Sequence, residues 1–369
     1  MKKNNIKIII FSKSSWNTYN FRKDIIQYFL SKKFKVTIVT ERDNFYKQLS
    51  NLGCEIKFIN YQNTKFNPFL DFFNLFKIYK IIQKIKPSYI LSYNLKPIIL
   101  SNIVSQICSR KNISMITGVG STLDKKNIYY YLAILLYKIA LRKCHTVFFQ
   151  NNNDKDFFER NYILNKSNVD IIPGSGVNLN YFIYKKINFE NSITFLCASR
   201  LIISKGIVEF CESAFIVKKI FPNVVFRLIG NFEDSSRGIK KQFIQNFVNK
   251  KIIEYKEFSN NIIEEIYNSS CAILPSYREG TSKFLLEAMS CGRPIITSDA
   301  IGCAQLVDNN KNGFIFKKKN YIDLSEKIIE FINLTNNEKN IMSINSRNLI
   351  ERKYDIKFVI NKYNQIIND

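Results

Sequence analysis

Short runs of apolar, β-branched residues alternate with helical patterns along nearly the whole chain of 369 residues. This βαβα rhythm predicts parallel sheets with helices on both faces, because two parallel strands need a crossover helix between them. The predicted strands are residues 6–11, 35–40, 55–59, 89–92, 113–117, 146–150, 193–198, 224–229, 272–275 and 294–298. We therefore predict an α/β fold made of doubly wound parallel sheets.

A break rich in glycine and proline at residues 173–180 interrupts this rhythm, which then restarts. Because 369 residues exceed one typical domain, we predict two Rossmann-like domains, residues 1–178 and 179–345. A helix in residues 346–369 is expected to cross back to the first domain. Two such domains leave a cleft between them. Ligands of doubly wound sheets bind beyond the carboxyl ends of the strands, so the strand-to-helix loops are where a site is expected.

The positive charge of the chain is concentrated in its first half. The net charge is +25, and residues 1–180 carry 28 Lys and Arg against 10 Asp and Glu. Such a field attracts anionic partners, whether nucleic acid, an acidic membrane surface or a phosphorylated substrate. The alternative is a lysine-rich composition whose charges are solvated surface residues.

We expect neither a signal peptide nor a transmembrane helix. Residues 6–11 are a short apolar run interrupted by Lys7, and no run of about 18 apolar residues occurs. Residues 128–141 come nearest, but Lys138 and several tyrosines favour an amphipathic helix there. The eight cysteines show no C-x-x-C pair and no zinc-ligand spacing, which predicts buried thiols in a reducing compartment. We expect a cytoplasmic protein that is peripheral at the inner membrane.

The strongest local signal is the segment 276–282, Ser-Tyr-Arg-Glu-Gly-Thr-Ser, which links a predicted strand to a helix at residues 283–291. Free backbone N–H groups and the helix dipole at such a point favour a phosphate. Glu279 lies in the turn, and Glu287 follows eight positions later in the helix. A carboxylate accepts paired hydrogen bonds, for example from a ribose diol. The alternative is a capped helix with two solvent-facing glutamates.

A second signal follows the predicted strand 193–198. Arg200 and Lys205 lie in the loop at its carboxyl end, at the same predicted sheet edge as the first signal. Two cations there can hold a diphosphate and stabilise it as it departs. The alternative is an ordinary basic loop in a basic chain.

Taken together, these motifs resemble the donor site of glycosyltransferase family 4, the retaining enzymes with the GT-B fold. The matching segments are Arg200 with Lys205-Gly206, Pro275-Ser276, the pair Glu279 and Glu287, Cys291–Ile296, and Asn312-Gly313-Phe314. The resemblance implies that Arg200 and Lys205 bind the diphosphate of the donor and stabilise the leaving group. It further implies that Glu279 contacts the donor sugar near its reacting carbon and that Glu287 holds the ribose. The donor phosphates would be contacted by Gly280, Thr281 and Ser282.

The first half is similar to a narrower branch, the N-acetylgalactosaminyltransferase-like enzymes of bacterial O-antigen, capsule and N-glycan assembly. The similar segments are Tyr93–Pro97, Ile116–Ser121 and Ile172–Val177. In that branch the acceptor is a sugar on undecaprenyl diphosphate, which implies a lipid-diphosphate-linked saccharide acceptor here. The acceptor-side candidates are Lys96, Gly118, Gly120 and Asn17. Many family members have a glycine pair in the first loop, where this chain has Ser14-Ser15-Trp16-Asn17.

Three other features of the sequence are a D-x-D pair, a single histidine and a single tryptophan. Asp154 and Asp156 have D-x-D spacing, but they suit the first turn of a helix, and we expect no metal. His145, the only histidine, precedes a strand and is interpreted as structural. Trp16 is the only tryptophan, and it either stacks on a sugar or lipid or packs against the core.

We therefore expect a glycosyltransferase that moves a hexose or N-acetylhexosamine, with retention, from a UDP-sugar to a polyprenyl-diphosphate-linked sugar. No cofactor is expected beyond the nucleotide-sugar co-substrate. One alternative is a basic nucleic-acid-binding protein, although no helix-turn-helix, RRM or KH signature occurs. Another is a nucleotide-sugar epimerase of similar fold, which would turn over donor without an acceptor.

Overall fold

The computed structural model describes residues 6–61, 67–119, 126–164, 168–190, 192–259 and 261–368. The chain forms two compact units. The first comprises Met1–Ser175 together with Lys357–Asp369, and the second comprises Gly176–Ile356.

The first unit contains a seven-stranded parallel sheet in the order β3-β2-β1-β4-β5-β6-β7. Its strands are β1 (Lys7–Phe11), β2 (Lys35–Thr40), β3 (Glu55–Phe58), β4 (Tyr89–Tyr93), β5 (Lys111–Ile116), β6 (Thr146–Phe149) and β7 (Asn168–Ile171). Its helices are α1 (Ser15–Ser31), α2 (Tyr46–Asn51), α3 (Pro68–Ile85), α4 (Leu95–Ile107), α5 (Ile128–Leu141), α6 (Asn152–Arg160) and α13 (Ile356–Asn368). In the centre of the sheet, Ile9 pairs with Thr37 on one side and with Ile90 on the other.

The order of the strands assigns the helices of this unit to the two faces of the sheet. The chain runs one way across the sheet from β1 to β3 and the other way from β4 to β7. Because parallel crossovers are right-handed, α1 and α2 cover one face and α3 to α6 cover the other. The packing of α1 on α2, and of α4 between α3 and α5, agrees with this assignment.

The second unit contains a six-stranded parallel sheet in the order β10-β9-β8-β11-β12-β13. Its strands are β8 (Thr194–Ala198), β9 (Val225–Ile229), β10 (Glu254–Lys256), β11 (Cys271–Leu274), β12 (Ile295–Ser298) and β13 (Gly313–Phe316). Its helices are α7 (Ile207–Ile220), α8 (Lys241–Asn249), α9 (Ile262–Tyr267), α10 (Lys283–Ser290), α11 (Tyr321–Asn333) and α12 (Asn336–Lys353). Two apolar clusters, one on each side of this sheet, form the core.

The helix expected in residues 346–369 is interrupted, and these residues belong to two helices, α12 and α13. Helix α12 ends at Lys353, and the backbone N–H of Val177 donates to the carbonyl of Tyr354, 2.9 Å away. The N–H of Ile356 donates back to the carbonyl of Val177 at 3.0 Å. Leu349 and Ile350 lie in the core of the second unit. The returning segment expected at residues 346–369 therefore begins at Lys357, and the units divide after Ser175 and not after residue 178.

Helix α13 belongs to the first unit and packs beside α1. The ring of Tyr363 lies edge-on to the ring of Phe29, with 6.2 Å between centroids. Its hydroxyl forms a buried hydrogen bond of 2.9 Å with that of Tyr93. The guanidinium of Arg22 lies 4.1 Å from the centroid of the Tyr93 ring, and burial lowers the pKa of this arginine.

Within the described residues, no helix is long and apolar enough to cross a membrane. All eight cysteines are free, and all except the partly exposed Cys108 are buried. Burial raises the pKa of several of these thiols, to about 11 for Cys144 and to about 12 for Cys197.

Candidate functional site

Three loops of the second unit meet at the carboxyl edge of its sheet. They follow β8, β11 and β12, which are neighbours in the strand order. The N–H of Tyr277 donates to the carbonyl of Ser204 at 2.9 Å, which joins the first loop to the second. The N–H of Glu279 donates to the carbonyl of Ile301 at 2.9 Å, which joins the second to the third. This is the edge where a doubly wound sheet binds ligands.

Two glycines allow the loops to approach so closely. Gly206 has a φ of 69°, and a Cβ there would lie 2.1 Å from the carbonyl oxygen of Pro275. Gly302 has a φ of 80°, and a Cβ there would lie 2.3 Å from the carbonyl oxygen of Glu279. Any side chain at either position would push the loops apart, so the geometry of the edge depends on both glycines.

Lys205 and Glu279, both predicted site residues, are in direct contact. The Nζ of Lys205 forms an ion pair with Oε1 of Glu279, and the Oγ of Ser276 donates to the same oxygen at 2.7 Å. The lysine side chain is 18% exposed and that of the glutamate is 15% exposed. The three residues form a charged cluster that is largely shielded from bulk water but still accessible at the sheet edge.

The start of α10 carries the predicted phosphate contacts. Ser282 is the N-cap residue, and its side chain accepts from the N–H of Leu285 at 3.3 Å. The hydroxyl of Thr281 accepts from Nε2 of Gln305 at 3.0 Å, and Gly280 precedes it in the same turn. The site therefore joins a helix N-terminus, which favours negative charge, to the cation of Lys205 through one short loop.

Glu287 and Arg200 have partners that the sequence did not predict. Glu287, in α10, forms an ion pair of 3.4 Å with Lys283. Arg200, whose side chain is 51% exposed, forms an ion pair of 2.7 Å with Glu233 in the loop after β9. That loop also follows the carboxyl end of a strand, which is the signal that could have identified Glu233. Arg200 therefore pairs with a different carboxylate from the one that Lys205 contacts.

Tyr277 is a further residue of this edge that sequence reasoning missed. Its hydroxyl donates to Oε1 of Glu209 on α7 at 2.7 Å, and the Nζ of Lys319 lies 5.0 Å from its ring centroid. Burial, followed by the hydrogen bond to Glu209 and the charge of that carboxylate, raises the pKa of Tyr277 far above its usual value. The tyrosine therefore stays neutral and acts as a hydrogen-bond donor.

The acceptor-side candidates lie in the first unit, at loops after β1, β4 and β5, which are adjacent in its sheet. Asn17 is in the first turn of α1, and its Oδ1 accepts from the Oγ of Ser12 at 3.2 Å. Gly118 follows β5 and has a φ of 121°. Gly120 lies outside the described residues.

Lys96 is a buried residue and does not line an open surface. Its Nζ lies 2.8 Å from Oδ1 of Asp71 and donates to the carbonyl of Tyr61 at 2.8 Å. Because a buried ammonium must be paired, this contact gives Lys96 a structural role between α3 and α4. We therefore retain Asn17 and Gly118, and not Lys96, as acceptor-side candidates of the described chain.

The D-x-D pair, the histidine and the tryptophan all belong to the first unit. Asp154 is buried at the start of α6, where its N–H donates to Oδ1 of Asn151 at 2.8 Å. His145 is partly buried, and its N–H donates to the carbonyl of Asn112 at 3.1 Å. Trp16 is partly exposed and lies edge-on to Phe21 at 6.0 Å. Among the described residues, no three His, Cys, Asp or Glu side chains are grouped so as to hold a metal ion.

Two parallel α/β sheets, with cations, carboxylates and a helix N-terminus at the carboxyl edge of the second, agree with the expectation of a GT-B glycosyltransferase. Residues 182–349 match the family model described as glycosyl transferases group 1, and residues 7–151 match glycosyl transferase 4-like. The chain belongs to these glycosyltransferases, which confirms the resemblance and the fold class predicted from the sequence.

Relatives and a solved structure extend this comparison over most of the chain. The N,N'-diacetylbacillosaminyl-diphospho-undecaprenol alpha-1,3-N-acetylgalactosaminyltransferase of Campylobacter jejuni is 26% identical over 344 residues, 88% of each chain. The UDP-Gal:alpha-D-GlcNAc-diphosphoundecaprenol alpha-1,3-galactosyltransferase of Escherichia coli is 28% identical over 257 residues, 66% of this chain and 64% of that enzyme. Anabaena HepE, solved with UDP, superposes with a TM-score of 0.80 at 17% identity, covering 98% of this chain and all of that one.

Proposed function

We propose that this glycosyltransferase moves a hexose or N-acetylhexosamine from a UDP-sugar to a saccharide carried on polyprenyl diphosphate. The observation that carries the proposal is the cluster of Lys205, Glu279 and Ser276 beside the N-terminus of α10. It combines a cation and the positive end of a helix dipole for a diphosphate with a carboxylate for a sugar, all on one sheet edge.

Lys205 is suited to bind the donor diphosphate without giving up Glu279. An ammonium group has three donors, and the ion pair with Glu279 uses one of them. The carboxylate therefore holds the lysine in position while the remaining donors bind phosphate oxygens. Arg200 would bind the same phosphates by breaking its ion pair with Glu233. Because the arginine side chain is half-exposed, breaking this pair costs little free energy.

The remaining donor contacts follow from the order of residues along α10. Gly280, Thr281 and Ser282 lie at the positive end of the helix dipole and would contact the phosphates. Glu287 lies farther along the helix, where its two carboxylate oxygens can accept both hydroxyls of a ribose. Lys283 then orients this carboxylate.

We propose a front-face reaction with retention at the anomeric carbon. The bond between that carbon and the leaving phosphate oxygen breaks while the acceptor oxygen attacks from the same face. The acceptor proton passes to the departing phosphate oxygen. The Nζ of Lys205 and the Oγ of Ser276 both donate to Oε1 of Glu279 and hold this carboxylate in place, so we assign it to binding the sugar and not to forming a covalent intermediate. Lys205 and Arg200 stabilise the charge that develops on the diphosphate, and the reaction requires no metal.

The acceptor and nucleotide are proposed from the relatives and from the charge of the first half of the chain. The names of the Campylobacter and Escherichia enzymes specify undecaprenyl-diphosphate-linked acceptors, and the second specifies UDP-galactose as donor. A first half with 28 basic and 10 acidic residues would be attracted to the anionic inner face of a cytoplasmic membrane, where such acceptors reside. We therefore place the reaction at that surface, in the assembly of a bacterial surface glycan.

A transfer assay tests the proposal. The purified protein is incubated with each of several UDP- and GDP-sugars and a short-chain polyprenyl-diphosphate saccharide, and the products are identified by mass. We expect one added hexose or N-acetylhexosamine with one UDP-sugar. Donor conversion in the absence of acceptor would assign an epimerase instead. Absence of both transfer and UDP binding by calorimetry would reject the donor site.

A further inference from the structure

The outer face of helix α3 is aromatic. Four phenylalanines on it are each between 54% and 75% exposed: Phe69, Phe72, Phe73 and Phe76. Their i, i+3, i+4, i+7 spacing places them on one side of the helix. The opposite side is buried, and in the first two turns it buries the polar residues Asp71 and Asn74. A surface helix normally buries its apolar side and exposes its polar side to water. Packing within the described part of the unit therefore does not explain why these rings are exposed.

Helix α5 repeats this pattern. Its exposed apolar residues are Ile128, Tyr129, Tyr131, Leu132, Leu135 and Ile139. Most of them recur at helical spacing on one side, while Ala133, Tyr137 and Leu141 occupy the opposite side and pack into the core. This helix therefore also exposes apolar residues that its own unit does not cover.

The two helices present these residues on the same side of the first unit. Both pack against α4, which lies between them and is buried along most of its length. Both also belong to the set of right-handed crossovers on one face of the sheet. The exposed residues named for α3 and α5 together form what we call the aromatic face.

The exposed charges on the two helices that form the aromatic face are all positive. Lys77, Lys80 and Lys84 are exposed on α3, Lys138 is exposed on α5, and Arg142-Lys143 follows directly. The only acidic residue in either helix is Asp71, which is buried against Lys96. The surface thus combines Phe, Tyr and Leu side chains with flanking cations, a composition suited to the interface of an anionic bilayer.

We propose that the aromatic face docks on an anionic lipid bilayer, with the rings among the acyl chains and the lysines on the headgroup phosphates. This inference rests on the proposed function, which needs a lipid-linked acceptor, and assigns the surface that reaches it. A second copy of the chain is a less suitable partner for this face. Two such faces would bring the lysines of α3 and α5 together, and neither helix has an exposed carboxylate to pair with them. A bilayer containing acidic lipid supplies both the apolar phase and the counter-charge.

Vesicle sedimentation with the full chain tests the proposal without reference to catalysis. The vesicles contain either phosphatidylglycerol mixed with phosphatidylcholine or phosphatidylcholine alone, and no polyprenyl lipid. We expect partitioning onto the anionic vesicles to be at least tenfold stronger than onto the neutral ones. Because the assay contains neither donor nor acceptor, a failure of the proposed reaction would leave this result unaffected.

Matched variants localise the binding surface. The face variant carries Phe72→Ser, Phe76→Ser, Leu132→Ser and Leu135→Ser. The control variant replaces four exposed apolar residues of the second unit: Ile220→Ser, Ile322→Ser, Ile341→Ser and Ile344→Ser. All eight positions are solvent-exposed, so both variants are expected to keep the wild-type melting temperature within a few degrees and to retain UDP binding. We expect the face variant to lose at least tenfold in partitioning and the control to remain within twofold.

Each other outcome overturns the proposal. Equal loss in both variants, or none in the face variant, would move lipid binding to another surface. Equal binding to neutral and anionic vesicles would remove the assigned lipid chemistry. Absence of vesicle binding by a monomeric protein would reject the bilayer as the occupant. A dimer in sedimentation velocity that the face variant dissociates would assign the aromatic face to a second copy of the chain.

Discussion

Each unit contains a lysine–carboxylate pair near the carboxyl edge of its sheet, and the two pairs differ in their surroundings. In the first unit, Lys96 and Asp71 are buried, and the ammonium is also held by a backbone carbonyl. In the second, Lys205 and Glu279 remain partly exposed at the meeting point of three loops. The same chemical pair is therefore a buried structural link in one unit and an accessible pair in the other, which is the one we propose for ligand binding, because accessibility decides which anion the lysine can reach.

The outer surfaces of the two units differ as well. The first unit exposes two apolar helix faces with flanking cations, whereas the exposed apolar residues of the second are scattered over several elements. Scattered apolar residues are ordinary on a protein surface, but a contiguous face indicates a binding surface. This comparison agrees with the proposals that the second unit binds the donor and that the first docks on lipid.

The largest expected effect is the loss of stability when the buried Lys96–Asp71 ion pair is broken. Asp71→Ala leaves Lys96 buried without a counter-charge, and we expect it to reduce the free energy of unfolding of the first unit by about 3–5 kcal/mol. Urea unfolding followed by the fluorescence of Trp16, which lies in that unit, measures the change. As a control, Glu159→Ala removes an exposed pair with Lys155 and should cost less than about 1 kcal/mol. Equal effects of the two variants would mean that burial does not distinguish them.

The second prediction concerns the catalytic barrier. Lys205→Ala or Arg200→Ala should raise it by about 2–4 kcal/mol, on the scale of losing one preorganised donor to developing charge. Steady-state kcat/KM with the identified donor measures the loss, and the melting temperature should stay within a few degrees. Lys327→Ala, which removes a surface cation paired with Glu330 in the same unit, is the matched control. Activity within tenfold of wild type for both site variants would refute the diphosphate assignment.

A smaller effect is expected at the proposed ribose contact. Glu287→Gln should raise KM for the donor about tenfold, which corresponds to about 1.4 kcal/mol, and leave kcat nearly unchanged. A 2'-deoxyribose donor should show a similar loss with the wild-type enzyme and little further loss with the variant. Additive losses would show that the carboxylate does not contact that hydroxyl.

The smallest expected effect is that of metal removal. Because the cations of Lys205 and Arg200 are proposed to neutralise the diphosphate, chelation with EDTA should change turnover less than twofold. Activity that disappears with EDTA and returns with Mg²⁺ or Mn²⁺ would require a metal at the donor site and would weaken the role of the two side chains.

Ten strands, including the central ones, were predicted at their positions, whereas the edge strands β7, β10 and β13 were not. Strands such as β1 and β11 are buried and appear in the sequence as continuous apolar runs. β7 and β10 lie at the edges of their sheets, are short and partly exposed, and contain the polar residues Asn168, Asp170, Glu254 and Lys256. An edge strand pairs with one neighbour only and is partly exposed, so its residues need not be apolar. The hydrophobic pattern that predicts central strands is therefore weak there.

The loops of the candidate site were predictable, but the partners of its side chains were not. Arg200, Lys205, Glu279 and Glu287 were identified because they follow strand ends or lie on the next helix, which is local information. That Arg200 pairs with Glu233, 33 positions away, and that Lys96 is buried by Asp71 depend on contacts between distant segments. No local pattern encodes such contacts.

The sequence by itself determined the alternation of strands and helices, the division into two units and the loops that carry charge. These follow from hydrophobic periodicity and from glycine and proline, which act over a few residues. Only the tertiary structure decided where the last helix breaks, which lysine is buried and which aromatic residues stay exposed. Each of these outcomes depends on which segments pack against the residue. Those segments lie far from it in the chain, so a local sequence pattern does not reveal them.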